Sequence, residues 1–76
     1  MNRLLVELVN AEEKVAIEQW GVTDRTPEIL LNAITEELGE VAHAINHEEG
    51  VASINQEIVE TIGVLSRLYN MVNYLI

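Results

Sequence analysis

Apolar residues recur along this chain at spacings of three and four rather than two, which is the pattern of helices and not of strands. From Arg3 to Trp20 the positions Leu4, Leu5, Leu8, Val9, Ala11, Val15, Ala16 and Trp20 alternate with Glu12, Glu13 and Glu18, so one amphipathic helix is predicted, stopping at Gly21. A second helix is predicted from Pro27, because Thr26 can cap it, Pro27 suits its first turn and Glu28 favours the positive end of its dipole. It runs through Ile29, Leu30, Ile34, Leu38, Val41 and Ile45 to the neighbourhood of Glu48, with Gly50 as the left-handed residue that closes it. Ser53-Ile54-Asn55-Gln56 has the form of a capping box, and a third helix continues from it through Ile58, Thr61, Ile62, Leu65, Leu68, Tyr69, Val72 and Leu75. The expected fold is all-α and a single domain over residues 1–76: an antiparallel hairpin in a three-helix chain that reaches a four-helix bundle by association.

Size and composition support association. A chain of 76 residues buries only about 60% of its unfolded surface and is marginal alone. The third helix, about 23 residues or roughly 34 Å long, overhangs the second. Its last turns, Leu68 to Ile76, carry no charge, so an interface with another copy is expected there, in a homodimer or homotetramer. The net charge of -9 repels phosphate backbones and argues against nucleic-acid binding. Cysteine is absent, excluding disulfides and thiolate sites, and no apolar run suits a signal peptide or a membrane span. A cytoplasmic protein without membrane partners is the expectation.

The candidate chemistry lies in two pairs of glutamates, Glu37/Glu40 and Glu57/Glu60, each three residues apart on a predicted helix. With the second helix's stripe centred near Ile34, Leu38, Val41 and Ile45, Glu37 falls about 60° and Glu40 about 120° to one side. On the third helix, a stripe through Ile54, Ile58, Thr61, Leu65 and Val72 gives Glu57 and Glu60 about the same offsets. Two antiparallel helices can therefore gather four carboxylates at the edge of the core, with small Ala33 and Ala44 leaving room beside them. Such a cluster does not stay ionised without a compensating cation. All-oxygen ligation points to Mg²⁺ or Mn²⁺ rather than zinc or copper. The alternative is a set of solvated glutamates on an acidic helix surface.

Glu36-Glu37-Leu38-Gly39-Glu40, followed after 16 residues by Glu57-Ile58-Val59-Glu60, resembles the EExxE…ExxD signature of the MazG-like nucleoside triphosphate pyrophosphohydrolases, over about residues 15 to 70. The resemblance implies an all-α oligomer that hydrolyses an NTP or dNTP to the monophosphate and pyrophosphate. It implies Glu37, Glu40, Glu57 and Glu60 as Mg²⁺ ligands, with Glu36 as the leading glutamate of the motif. Glu36 points about 160° from the core, so it is either a base or second-metal ligand or part of the solvated surface. Glu60 stands where the family has Asp, and its extra methylene moves the carboxylate by about 1.5 Å. The chain also ends where many members continue into a fourth helix. Lys14, Arg25, Arg67 and Arg3 are its only basic residues, so metal ions must carry most of the triphosphate's charge.

Candidate substrate contacts are Trp20 and Tyr69, which can stack on a base, Asn32 or Asn73, which can read its edge, and Arg25, which can meet a phosphate. For both aromatics, core or interface packing is the competing role. Glu40-Val41-Ala42-His43 also matches the Glu-x-x-His of di-iron bundles, but His43 and His47 fall about 180° and 220° from the core centre. A further alternative is a catalytically degenerate acidic oligomer acting as an interaction or regulatory module.

Overall fold

The computed structural model describes residues 1–20 and 26–75, which form α1 (Arg3–Trp20), α2 (Pro27–Asn46) and α3 (Val51–Leu75), with no strand among them. None of these helices is long and apolar enough to cross a membrane. Helix α1 is opened by Asn2, whose Oδ1 accepts from the Leu5 N–H at 3.2 Å. Helix α2 starts as expected: Thr26 is extended, and its Oγ1 accepts from the Ile29 N–H at 3.2 Å, with Pro27 in the first turn. Gly21 and Arg25 lie outside the described residues.

The end of α2 differs from the expectation. The Glu49 N–H reaches the Ala44 carbonyl at 3.0 Å and the Glu48 N–H reaches the Ile45 carbonyl at 3.2 Å, which together make a Schellman motif. Its left-handed residue is Glu48, at φ 52°, and not the glycine two positions later. Gly50, at φ 98°, instead begins α3, its carbonyl accepting from the Ile54 N–H at 3.0 Å. Helix α3 thus begins at Val51, and Ser53 does not act in a capping box: its hydroxyl donates to Glu49 Oε1 at 3.1 Å.

Helix α3 is the centre of the fold. The tight connection folds α2 back antiparallel along one of its faces, where Leu30, Ile34 and Val64 form the buried cluster and Ala33, Leu68 and Met71 pack around it. Helix α1 lies along a different face, where Gly63 lets it approach: a Cβ there would come within 3.3 Å of Glu12 Cγ. Among the described residues α1 and α2 do not pack on each other. Thr61, buried on α3, satisfies its hydroxyl by donating to the Glu57 carbonyl at 2.7 Å.

The helices are turned relative to the expected stripes. On α2 the buried apolar positions are Leu30, Ile34 and Ala44, while Leu38 and Ile45 are exposed. That is a rotation of about 50°, which brings Glu37 to the middle of the face turned toward α3. On α3, Leu65 is exposed and Val59, Gly63 and Val64 are buried, because α1 and α2 claim two separate faces. The expected stripes average over every apolar residue of a helix, including those this packing leaves uncovered. The outcome is a thin core in which, among the described residues, no large side chain is fully buried. The radius of gyration, 12.9 Å, exceeds the roughly 11.4 Å of a compact domain of this length.

Glu48 carries the cost of a left-handed conformation without being glycine, about 1 kcal/mol. Glu48→Gly is expected to raise the thermal midpoint by roughly 4–8 °C at fixed protein concentration, followed by circular dichroism. An unchanged or lowered midpoint would contradict this account of the turn.

Candidate metal centre

Turning Glu37 toward α3 sets it across the seam from Glu57, and the i, i+3 spacing adds Glu40 and Glu60 on the same side. Glu37, Glu40, Glu57 and Glu60 each place a carboxylate oxygen in a group whose members all lie within 4.8 Å of one another. Glu40 is exposed and the other three are half-buried. Glu60 reaches the group despite its longer side chain, and its Oε1 accepts from Gln56 Nε2 at 2.9 Å. Gln56 therefore orients an acidic side chain one turn away, a role that the capping-box reading of Ser53–Gln56 missed. Its i, i+4 spacing from Glu60 is the signal that marks it.

Two oxygens of the group, Glu37 Oε2 and Glu57 Oε2, are shut off from solvent and have no hydrogen-bond partner. A carboxylate offers only acceptors, so a buried oxygen of this kind needs a proton or a cation. Glu37 is pushed up to about 7, first by burial and then by the negative charges of Glu40 and Glu60. Glu57 is also pushed up to about 7, first by sharing a proton with the Glu40 carboxyl, then by burial and by the charges of Glu60 and Glu40. The donor set is all oxygen, the kind that hard divalent cations take. The orphaned oxygens are open to a proton or to such a cation.

The other candidate residues are distributed round this group. Glu36 is exposed and outside it. Tyr69 is exposed on α3, and Asn73, also exposed, donates from Nδ2 to the Tyr69 carbonyl at 2.8 Å. Asn32 is exposed on α2. Arg25 and the Trp20 side chain lie outside the described residues. His43 turns away, its Nε2 lying 3.4 Å from Glu49 Oε2 and its ring 4.1 Å from that of His47, so the clustered carboxylates have no imidazole among them.

Beside the group a cleft of about 360 Å³ runs between α1 and α3, walled by Leu8, Val15 and Val59 with Glu12, Asn55 and Gln56 as its polar positions. Gln56 belongs to both features, so the cleft opens next to the carboxylates. Sequence periodicity did not reveal it, because it depends on how far α1 stands from the first turns of α3. Arg67, half-buried on α3, has a shielded Nε without a partner and lies two turns beyond Glu60, a rise of about 10 Å. Comparison with protein-family models, with characterised proteins and with solved structures finds no match.

Because Glu37 and Glu57 hold protons more tightly folded than unfolded, where their value is 4.5, the metal-free fold takes up protons between pH 4.5 and 7. Their contribution to stability is complete below the unfolded value and is lost as pH rises through about 7. In the presence of a chelator the thermal midpoint is expected to be higher at pH 5 than at pH 8, and Glu37→Gln with Glu57→Gln should flatten that difference. A midpoint that rises from pH 5 to pH 8 would contradict the assignment.

Proposed function

We propose that this chain is a Mg²⁺-dependent nucleoside triphosphate pyrophosphohydrolase of the MazG-like, all-α kind, cleaving an NTP or dNTP to the monophosphate and pyrophosphate. The observation that carries the reading is the four-carboxylate group with its two orphaned oxygens, at the positions matching both acidic motifs. Glu37, Glu40, Glu57 and Glu60 would hold the cation. Bound there, Mg²⁺ or Mn²⁺ supplies neutralisation of the phosphates and acidification of a water. Gln56 fixes Glu60, which compensates for a side chain one methylene longer than the family's Asp. The cleft between α1 and α3, at the small end of ligand-pocket sizes, is placed to take the base and sugar. Arg67, on the face that carries Glu60 and short of a partner at Nε, is the described cation best placed to meet a phosphate. Tyr69 and Asn73, on the face of α3 turned away from Glu60, would meet the nucleotide only through another copy. The bundle is completed by a homodimer or homotetramer.

A second reading is favoured by the amount of uncovered apolar surface: a degenerate acidic oligomer that works as an interaction module. Turnover separates the two. Incubation with a panel of NTPs and dNTPs in Mg²⁺ is expected to release pyrophosphate. Glu40→Ala should abolish that release with little change in helix content, since Glu40 is exposed, and Gln56→Ala should slow it about 10–100-fold. No pyrophosphate from any nucleotide would overturn the enzymatic reading and leave the module.

A further inference from the structure

The run His43-Ala44-Ile45-Asn46-His47 sets two imidazoles one helical turn apart at the end of α2. The His47 N–H reaches the His43 carbonyl at 2.9 Å, so the pair keeps helical register, and the ring centres lie 4.1 Å apart at 34°. Two histidines at i and i+4 on one helix face are the chelating pair of helical zinc sites. A carboxylate joins them. Glu48, at φ 52°, turns the chain back over the end of α2 and sets Glu49 against His43, with Glu49 Oε2 3.4 Å from His43 Nε2. That separation is outside the roughly 2.7–3.2 Å of a hydrogen bond. It matches the edge of about 3.3–3.4 Å between two ligands on one tetrahedral ion with bonds of about 2.0–2.1 Å. The other oxygen, Glu49 Oε1, accepts from the Ser53 hydroxyl at 3.1 Å, the kind of outer contact that orients a ligating carboxylate.

We propose that His43, His47 and Glu49 bind a divalent transition ion of the Zn²⁺, Ni²⁺ or Cu²⁺ class, separately from the carboxylate group. The donors decide the class: imidazole nitrogen takes these borderline metals, whereas Mg²⁺ is held through oxygen. His43 and Glu49 already stand at ligand separation, and His47, exposed at the cap of α2, completes the set by turning its ring about its own side-chain bonds. The position favours a cation, because the carbonyl end of α2 carries partial negative charge and the chain has a net charge of -9. Three protein ligands leave one tetrahedral position for water. Ala44 stands where helical zinc proteases carry their general base, so an ion here braces the fold and does not hydrolyse. It ties the last turn of α2 to the connection into α3, across the strained backbone of Glu48. This inference does not depend on the chain being a pyrophosphohydrolase.

The test is a Zn²⁺ titration of the wild-type chain followed by the nuclear magnetic resonances of its two imidazoles. Both are expected to shift together and to saturate at one ion per chain. The shifts should persist in Glu37→Gln with Glu57→Gln, which removes the buried carboxylates and leaves this end of the hairpin untouched. Glu49→Gln should weaken binding about tenfold or more. In His43→Ala, whose helix content should match the wild type because the residue is exposed, the His47 resonance should no longer move at the same Zn²⁺ concentration. Four results would each overturn the inference: wild-type imidazoles that stay fixed up to millimolar Zn²⁺, a His47 shift of wild-type size in His43→Ala, wild-type affinity in Glu49→Gln, or shifts that vanish with Glu37 and Glu57.

Discussion

Four carboxylates within 4.8 Å on one helix seam repel one another, and the rest of this structure is organised round that repulsion. An apolar chain with little aromatic content would gain more by turning Leu38 and Ile45 inward. Instead α2 presents Leu30, Ile34 and Ala44 with Glu37 among them, and accepts a core with no large side chain fully buried among the described residues. Two of the carboxylate oxygens are left without donors. Structures retain arrangements of this kind where a ligand satisfies them, and the ligand chemistry that an all-oxygen, acceptor-only group invites is a hard cation.

The same rotation links the two halves of the molecule. Each degree that brings Glu37 toward α3 carries Leu31, Leu38 and Ile45 out of the core, so the carboxylate group on one side and the uncovered apolar face on the other are consequences of a single choice of helix orientation. Helix α3 makes this workable by serving three directions: α2 through Val64 and Leu68, α1 through Val59 and Gly63, and the open side through Leu65 and Tyr69. A chain of 76 residues gains stability from covering that third direction, since its own core is thin.

Local features were legible in the sequence. Thr26-Pro27-Glu28 marks the start of α2, the three-and-four periodicity marks all three helices, and the two Glu-x-x-Glu pairs mark the carboxylates that converge. What the sequence left open depends on tertiary choice. Apolar residues occupy two faces of α2, and periodicity alone averages them, which placed Leu38 in the core and Glu37 at its edge. Glu48, rather than Gly50, takes the left-handed turn because the Schellman bonds close on Ala44 and Ile45, and residue preference does not count turns. Gln56 has the residue type of a capping box and the spacing of a partner for Glu60, and only the start of α3 at Val51 decides between them.

The central claim is that the carboxylate group holds a divalent cation, and titration calorimetry of the wild-type chain with Mg²⁺ at pH 8 tests it most directly. At that pH the raised carboxyls are largely ionised and compete least with protons. The account predicts saturable binding that Glu37→Gln with Glu57→Gln removes. Absence of binding heat for the wild type across millimolar Mg²⁺ and Mn²⁺, in each of two buffers of different ionisation enthalpy, would contradict it.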